Sequence, residues 1–392
     1  MPDRRNFMAL AGAAALCSPA AFARTASAPD LVIKGGRVID PARRMDDFFD
    51  VAIAGGRITG LAPSIAAGNA KVVDAGGRLV LPGLIDVHTH GTVEPEDAGM
   101  MLAEGVTGWI EAGWQGADGF EPGLAAARGA PQVAGVLLNI GRKGAVAPAG
   151  SGTPLELADV AAAKAAIAAH RDRIVGIKAR LSRNIVGEGD REVLARAQAA
   201  ARPFGIPVMI HIGDTYSPLG ELLKLLKPGD IVTHMYAPPP HGLTGDTGTI
   251  IPEAIAARRR GVLFDWGNGT RGHLRWDVAE AAVKAGFLPD TLSSDWTLSG
   301  HKTGMIALPT VMSAALSLGI PLGQVVAMVT SQAARCFPLF RGRGTLRRGA
   351  PADVTVLDLL HGDFEFLDNE GNKRRGDRKL VPHATVLGGK LV

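Results

Sequence analysis

The chain has 392 residues, of which 46% are hydrophobic and 20% are charged. This composition excludes a disordered chain, and the length allows one large domain plus a smaller one. Because the basic residues are scattered, the net charge is only +4 and aromatic residues make up 5%, the sequence does not indicate a nucleic-acid-binding surface.

Residues 1–23 have the layout of a signal peptide. A charged start with Arg4 and Arg5 precedes an apolar run at 9–16 that is too short to span a bilayer, and a small-x-small site ends at Ala23. The arginine pair followed by Asn-Phe-Met resembles a twin-arginine signal, with an ordinary secretory signal as the alternative. We therefore expect a protein of the periplasm or the exterior with no stable membrane anchor. After cleavage one thiol remains, at Cys336, which excludes a disulfide scaffold.

Both ends of the mature chain predict short β-strands. From 31 to 81, alternating apolar residues repeatedly end in Gly-Gly pairs, which is typical of hairpins. The same pattern returns at 354–357 and 384–389. The sequence therefore predicts a small composite β-sandwich domain formed from residues 24–81 and 338–392.

The segment between these ends, residues 82–337, alternates short apolar runs with Ala- and Leu-rich helical stretches. Eight strand-plus-helix units at this spacing predict a (β/α)8 barrel, in which each helix crosses over between parallel strands. A doubly wound sheet would also alternate strand and helix, but no G-x-G-x-x-G follows the first strand. The predicted strands end near His88, Glu111, Asn139, Lys178, His211, His234, Asp265 and Asp295.

Titratable side chains stand at most of these strand ends, which is where barrel enzymes place their catalytic groups. His88 and His90 are two residues apart on an extended chain, so both side chains share the face toward the barrel mouth. Two converging imidazoles suit a divalent transition metal. Asp86 shares their face, where it either orients a ligand or packs in the core with a hydrogen bond.

Four further strand ends carry reactive or metal-binding side chains. Lys178 closes an apolar strand, where loss of water lowers the pKa of an amine. A neutral amine can react with carbon dioxide to give a carbamate that bridges two cations; the alternative is a lysine that reaches solvent at the barrel rim. His211 and His234 each close an apolar strand, and Asp295 closes the last one. The order His-x-His, Lys, His, His, Asp indicates a metal site.

This order, the GLIDVHTH motif at 83–90 and the closing aspartate resemble the amidohydrolase superfamily, in its binuclear type with a carboxylated lysine. Gly-Ile-Lys-Ala-Arg-Leu-Ser at 176–182, Leu-Asn-Ile at 138–140 and Gly-Val-Thr at 105–107 resemble its deacetylase branch, often labelled dihydroorotase-like. The tail at 371–386 is similar to that branch and to D-aminoacylases. The resemblance covers nearly all of the mature chain.

The resemblance implies a centre of two divalent metal ions, with Zn²⁺ as the default for a histidine-rich site. It assigns the ligands as His88, His90 and Asp295 for one ion, His211 and His234 for the second, and N6-carboxylated Lys178 as the bridge between them. In such a centre the ions hold a hydroxide that attacks a carbonyl group. Asp295 would take the water proton and pass it to the leaving group.

Substrate contacts are expected on the loops around this centre. Arg180 either binds a substrate carboxylate or forms a structural salt bridge. His241, His273 and His301 lie in loops near the barrel mouth, and Asn268 stands in a Gly-Asn-Gly where relatives often carry Gly-His-Gly. These differences concern the identity of the substrate rather than the reaction class.

The resulting hypothesis is metal-dependent hydrolysis of an amide or ester bond, with the acyl group attached to a small carboxylate. One alternative is hydrolysis of a cyclic amide, as in dihydroorotases and hydantoinases, which needs the same metals. A second alternative is an exported, non-catalytic solute-binding protein that kept the barrel. Relatives often form oligomers, so the alternatives are a monomer and a homo-oligomer.

Overall fold

The computed structural model describes residues 28–145, 154–245 and 248–392, so the predicted signal peptide at 1–23 lies outside the described residues. The amino-terminal part begins with strands because β-branched residues alternate with polar ones and Gly-rich turns separate the runs. These strands are β1 (Leu31–Asp40), β2 (Met45–Ala54), β3 (Arg57–Ala62), β4 (Lys71–Asp74) and β5 (Leu79–Pro82). A short 3₁₀ turn, Pro41–Arg43, joins β1 to β2.

Seven parallel strands follow, each hydrogen-bonded to the next in chain order. They are almost entirely buried, as expected for strands covered on both faces by helices and core. They are β6 (Leu84–Thr89), β7 (Val106–Glu111), β8 (Val133–Asn139), β9 (Ile174–Arg180), β10 (Val208–His211), β11 (Ile231–Thr233) and β12 (Leu263–Phe264).

An extended segment at 291–296 closes this sheet into a barrel. On one side it pairs in parallel with the chain after β12, where the Trp266 amide donates to the Thr291 carbonyl over 3.0 Å. On the other side it pairs with β6, where the Asp295 amide donates to the His88 carbonyl over 2.8 Å. The segment therefore occupies the eighth strand position, and the predicted (β/α)8 barrel is confirmed.

Helices connect the barrel strands and bury one side against them. In the 12-residue helix after β9, for example, Val193, Leu194 and Ala197 are buried at the spacing of one helical face. No helix in the described residues has the length and apolarity needed to cross a bilayer. The helices are α1 (Asp97–Ala103), α2 (Glu121–Gly129), α3 (Pro154–Leu157), α4 (Val160–Ala169), α5 (Arg183–Val186), α6 (Asp190–Ala201), α7 (Leu219–Leu225), α8 (Pro252–Arg259), α9 (Trp276–Lys284), α10 (Leu298–His301), α11 (Leu308–Ser317), α12 (Leu322–Met328) and α13 (Ser331–Cys336).

The carboxyl-terminal strands β13 (Val354–Leu367), β14 (Lys373–Leu387) and β15 (Lys390–Leu391) return to the amino-terminal ones. Hydrogen bonds join strands from both ends of the chain in one sheet, in the order β15-β14-β13-β5-β1-β2-β3, with β4 also paired to β1. The β13–β14 hairpin also reaches the barrel, where the Leu380 amide donates to the Ser313 hydroxyl on α11. The molecule thus combines the barrel with a β-rich domain built from both termini.

The amino-terminal end of the barrel is closed by an apolar floor. Ala333 on α13, Phe337 and Phe340 are fully buried against inward-facing strand residues such as Ile85 and Met209. A 3₁₀ turn, Pro338–Phe340, holds the last of these aromatics under the strands. Because this end is filled by apolar side chains, the polar side chains of the strands collect at the opposite, carboxyl-terminal end.

Candidate metal centre

Three side chains from the two strand positions that close the barrel meet at its carboxyl-terminal end. Oδ1 of Asp295 lies 3.2 Å from Nε2 of His88 and 3.2 Å from Nε2 of His90. Asp295 reaches this point from a left-handed backbone conformation with φ of 54°, which aspartate tolerates better than most residues. His88 is buried and the other two side chains are each only 12% exposed.

Hydrogen bonds at the far side of each ring decide which nitrogen faces Asp295. Nδ1 of His88 lies 2.8 Å from the Thr233 hydroxyl, which itself donates to Asp265 over 2.7 Å and therefore accepts from the imidazole. Nδ1 of His90 donates to Glu111 over 3.0 Å. Nδ1 of each ring is thus engaged, and Nε2 of each ring faces Asp295. Burial alone would lower the pKa of His90, but its hydrogen bonds with Asp295 and Glu111 raise it to about 9.

The first group of side chains therefore brings Nε2 of His88, Nε2 of His90 and Oδ1 of Asp295 to one point. Imidazole nitrogens and a carboxylate oxygen are ligand atoms that divalent transition metals bind. Ligands about 2.0–2.1 Å from a tetrahedral zinc ion stand roughly 3.3 Å apart, which agrees with the 3.2 Å separations seen here. The three residues therefore fit a divalent transition metal.

A second group at the same barrel end consists of His211, His234 and His273, with the first two at the ends of β10 and β11. The ring centroids of His211 and His234 are 4.3 Å apart, and the His273 ring stacks on His234 at 3.7 Å. Nδ1 of His234 donates to the Gly267 carbonyl over 2.7 Å, which leaves Nε2 free to bind a metal. Burial, together with the neighbouring His273, holds the pKa of His211 and His234 well below the usual value. Both rings are therefore neutral at pH 7, as metal ligands must be.

Lys178 lies at the end of β9, beside the first group. Its side chain is 4% exposed, and Nζ is 3.1 Å from Nε2 of His88 and 3.5 Å from Sδ of Met209. Gly113 makes room for it, because a Cβ there would lie 2.3 Å from the lysine Cβ. Burial lowers the pKa of Lys178 to about 8, although Asp295 opposes this effect. A sizeable fraction of the amine is therefore neutral at pH 7–8 and can react with carbon dioxide.

Asp295 and Glu111 remain ionised despite their burial. Burial alone would raise the pKa of Asp295, but His88 and His273 hold it well below its usual range. Glu111 behaves in the same way, because the hydrogen bond and charge of His90 outweigh its burial and lower its pKa. An ionised Asp295 can both bind a cation and accept a proton.

Asp86, beneath the two histidines, contacts backbone rather than imidazole. Its Oδ1 accepts from the amides of His88 and Ser294, each over 3.2 Å, and its Oδ2 accepts from the Ser294 hydroxyl. It therefore fastens the strand that carries the histidines to the residue next to Asp295. Asp86 orients the site through the main chain.

Arg180 lies two residues beyond Lys178, beside His211 in the pairing of β9 with β10. Its side chain is partly buried, and Nε donates to the Ser182 hydroxyl over 3.4 Å. In the described part of the chain no carboxylate lies within 4 Å of its guanidinium, so the structure shows no salt bridge there. The terminal nitrogens remain available for an anionic group.

The other predicted substrate residues are engaged with protein groups. Nδ1 of His241 contacts the Thr215 carbonyl over 2.8 Å. The Asn268 side chain accepts from the Trp266 indole over 3.0 Å and donates to the backbone carbonyls of Gly269 and Met305. These two residues therefore shape the loops in which they lie.

His301, on α10, is also engaged. Its Nδ1 lies 2.8 Å from Glu104, whose carboxylate also accepts from the indole of Trp296 over 3.3 Å. The loop that bears His301 is thereby tied to the residue that follows Asp295. A contact between His301 and substrate would have to use its Nε2.

The residues whose hydrogen bonds orient the histidines of this centre were not predicted from the sequence. Thr233 precedes a predicted ligand by one residue, and Asp265 and Glu111 were placed at strand ends, which is the signal that could have identified them. His273 was expected only as a loop residue near substrate, yet its Nδ1 lies 3.2 Å from Oδ2 of Asp295. Its position depends on the path of the loop after β12, which no local pattern predicts.

The chain is similar to known proteins over most of its length. The sequence profile of the amidohydrolase family matches residues 79–392. The chain is 30% identical over 378 residues to a protein of Enterococcus faecalis named a deacetylase, and the match covers 92% of this chain and 98% of that one. A solved structure described as an adenine deaminase is 30% identical with a TM-score of 0.82, covering 93% of this chain and 99% of its own. A solved dihydroorotase is 26% identical with a TM-score of 0.80, covering 92% and 98%.

Proposed function

The chain belongs to the amidohydrolase family and is a hydrolase that acts on C–N bonds, and on this premise we propose that it removes an acyl group from a small carboxylate. The acyl group would be joined to the carboxylate through an amide bond or the corresponding ester. The convergence of His88, His90 and Asp295 on one point is the observation that carries this proposal. The Enterococcus faecalis relative named a deacetylase supports the acyl group as the part released.

The same residues determine how a metal centre would be held. His88, His90 and Asp295 would bind one divalent ion, Zn²⁺ by default, and His211 with His234 a second. Lys178, carboxylated on Nζ, would lie between the two sets. When bound, such ions lower the pKa of water to about 7 and polarise a carbonyl oxygen.

Asp295 supplies the proton transfers of the proposed reaction. Its carboxylate is ionised, so it can take a proton from the attacking water and deliver it to the leaving nitrogen or oxygen. His88 and His90 hold Oδ1, and His273 lies beside Oδ2, so the carboxylate is fixed from both sides. This preorganisation means that little rearrangement is needed during the transfer.

The position of Arg180 supports the proposal that the substrate carries a carboxylate. Its guanidinium is partly buried beside His211 and has no acidic partner among the described residues. A planar guanidinium binds a carboxylate through two parallel hydrogen bonds. We therefore expect R180M to raise the KM for an N-acyl amino acid much more than the KM for its uncharged methyl ester. An equal change in KM for both compounds would show that Arg180 does not bind the substrate carboxylate.

A second candidate reaction is the opening of a cyclic amide. The likeness to a solved dihydroorotase supports it, and the reaction would use the same metal ligands and Asp295. A comparison of N-acyl amino acids, O-acyl hydroxy acids, dihydroorotate and hydantoins at equal concentration distinguishes the two. Turnover confined to the cyclic compounds would replace the deacylase proposal.

The decisive experiment combines metal analysis with turnover of the mature protein. We expect about two metal ions per chain, fewer in K178A, and an unchanged content in K284A, which removes an exposed lysine on α9. D295N should abolish turnover. Ligand binding by D295N equal to that of the wild-type protein, with no turnover by either, would favour the solute-binding alternative. A wild-type protein without metal would contradict the mechanism.

The place of action is proposed from the amino-terminal sequence alone. The twin-arginine-like segment with cleavage after Ala23 predicts export to the periplasm or the exterior. A fusion of residues 1–35 to a reporter, compared with the same fusion carrying lysines in place of Arg4 and Arg5, tests the pathway. Retention of only the lysine variant in the cytoplasm is the expected result.

A further inference from the structure

A cavity lined by five arginines lies at the amino-terminal end of the barrel. Its volume is about 490 Å³, and no aspartate or glutamate is among its lining residues. Phe337 and Phe340, which belong to the floor, form part of its wall, so the metal centre lies on the other side of the floor. The five arginines are Arg43, Arg335, Arg341, Arg343 and Arg347.

Two distant parts of the sequence build this cavity. Arg43 belongs to the 3₁₀ turn after β1, in the β-rich domain, and Arg335 belongs to α13. The remaining three arginines follow on the segment from 341 to 347 that leads toward β13. The cavity therefore lies where the β-rich domain meets the floor of the barrel.

Most of these guanidinium groups lack an acidic partner. Arg343 forms an ion pair with Asp353. Within the described ranges, the other four have no carboxylate within 4 Å, and the Arg43 guanidinium contacts only Sδ of Met45, at 3.8 Å. Arginine stays charged at every physiological pH, and the like charges of the four exposed, unpaired arginines repel one another around the cavity, although water and salt weaken this repulsion. An anion in the cavity would relieve this repulsion.

The backbone that carries the arginines is held in place. Oδ2 of the buried Asp40 accepts from the Thr345 hydroxyl over 2.9 Å and from the Leu346 amide over 2.7 Å. Gly344 has a φ of 68°, and a Cβ there would lie 2.6 Å from the Thr330 carbonyl oxygen, so the loop packs directly on the chain before α13. A fixed loop lowers the entropy cost of binding.

We propose that this cavity binds a small organic anion with two or more phosphate groups. Guanidinium groups bind phosphate oxygens in pairs, and several of them surround the cavity without competing acids. The volume falls within the usual range of about 300–1,000 Å³ for small-molecule sites. Because the arginines gather around one opening rather than along a stripe, the site suits a compact ligand better than a polymer.

A neighbouring cavity provides room for the uncharged body of such a ligand. It has a volume of about 840 Å³ and shares Arg335 and Pro338 with the first. Arg202 and Lys227 add two more cations to its wall. The one acidic lining residue, Asp230, is buried and accepts from the Lys227 and Val208 amides and the Gln198 side chain.

The probe for this site is fructose 1,6-bisphosphate, which carries two phosphates on a small scaffold, with fructose as the uncharged control. Calorimetry on the metal-loaded protein should show saturable binding of the bisphosphate only. The double variant R335A/R341A should bind at least about tenfold more weakly. The matched control R259A/R348A removes the same charge from exposed positions outside the cavity and should bind like the wild-type protein. Turnover should stay unchanged in both.

Several outcomes would overturn the proposal. Equal weakening in both double variants would indicate attraction to net charge rather than a site. Binding lost in H88A would place the phosphates at the metal ligands. Binding to phosphatidylglycerol vesicles without binding to the bisphosphate would identify a lipid headgroup as the source of phosphate. If R335A/R341A fails to fold, R341E alone must still abolish binding while the melting temperature stays near that of the wild-type protein.

Discussion

Oδ2 of Asp295 lies 3.2 Å from Nδ1 of His273, while Oδ1 of the same carboxylate faces His88 and His90. One carboxylate oxygen thus faces the metal-binding histidines, and the other faces His273 on the loop that follows β12. Gly269 makes this contact possible, because a Cβ at that position would lie 2.0 Å from Nδ1 of His273 and 2.8 Å from Oδ2 of Asp295. His273 therefore orients the carboxylate that we propose as the proton carrier.

Replacement of His273 by asparagine should lower kcat and leave the metal content unchanged. The Asp295 carboxylate would lose the neighbour beside Oδ2, and a displacement of about 1 Å at a reacting group can cost about 100-fold, so kcat should fall roughly 10- to 100-fold. The control H361N changes an exposed histidine on β13 and should have no effect. Loss of one metal ion per chain in H273N would instead make His273 a ligand of the second group.

Glu111 should control the affinity of the first metal-binding group. It accepts from Nδ1 of His90, from the Thr92 hydroxyl and from the Trp114 amide, and it is fully buried. Removal of such a partner of a metal-binding histidine costs about 10- to 100-fold in affinity. We expect a loss of this size in E111Q, measured by competition with a chelator, and none in E94Q, which changes an exposed carboxylate between β6 and α1. An unchanged affinity in E111Q would show that His90 is oriented by packing alone.

Carboxylation of Lys178 should depend on pH in a way that reports its burial. Burial lowers the pKa to about 8, and only the neutral amine reacts with carbon dioxide. In metal-free protein at constant dissolved carbon dioxide, the initial rate of carbamate formation follows the fraction of neutral amine, so it should rise about tenfold from pH 7 to pH 9 and level off above the pKa. The amount at equilibrium does not report the pKa in this way, because each carbamate formed also releases a proton. For a lysine with an ordinary pKa near 10.4, the initial rate would rise about 100-fold over the same range without levelling off. The carbamate signal of ¹³C-labelled carbon dioxide, absent in K178A, measures the difference.

The architecture was predictable because it follows from local patterns. The strand ends expected at Glu111, Asn139 and His211 coincide with the ends of β7, β8 and β10, since apolar runs stop where side chains reach the barrel mouth. The eighth position, 291–296, was also expected, although hydrogen bonds rather than a regular strand define it. In a barrel these ends must share one face, so the fold brings the predicted ligand positions together.

The remaining features depend on contacts between distant segments. The Asn268 amide contacts Trp266 and the Met305 carbonyl, and this arrangement depends on the course of two loops. Its contact with substrate stays a prediction. The arginine cavity joins Arg43 to residues some 300 positions later, which is beyond any sequence window. The sequence shows the chemistry of each residue, but it does not show which distant residues lie beside it in the folded chain.

Gly269 provides the sharpest test of the Asp295–His273 contact. Gly269 and Gly272 both have positive φ, 55° and 66°, so alanine strains the backbone at either position by about 1 kcal/mol. At Gly272 an added Cβ meets nothing within 4 Å, whereas at Gly269 it displaces both His273 and Asp295. G272A therefore measures the effect of backbone strain alone, and G269A should lower the melting temperature by at least as much.

Only G269A should lose turnover, and the loss should exceed that of H273N because the carboxylate itself moves. The double variant G269A/H273N should be no less active than G269A alone, since the contact that His273 makes is already broken. Kinetics of the four variants and the wild-type protein, with metal content checked for each, measure this coupling. Additive losses in the double variant would show that His273 acts on turnover independently of Asp295, and equal activity of G269A and G272A would show that the site tolerates displacement of the carboxylate.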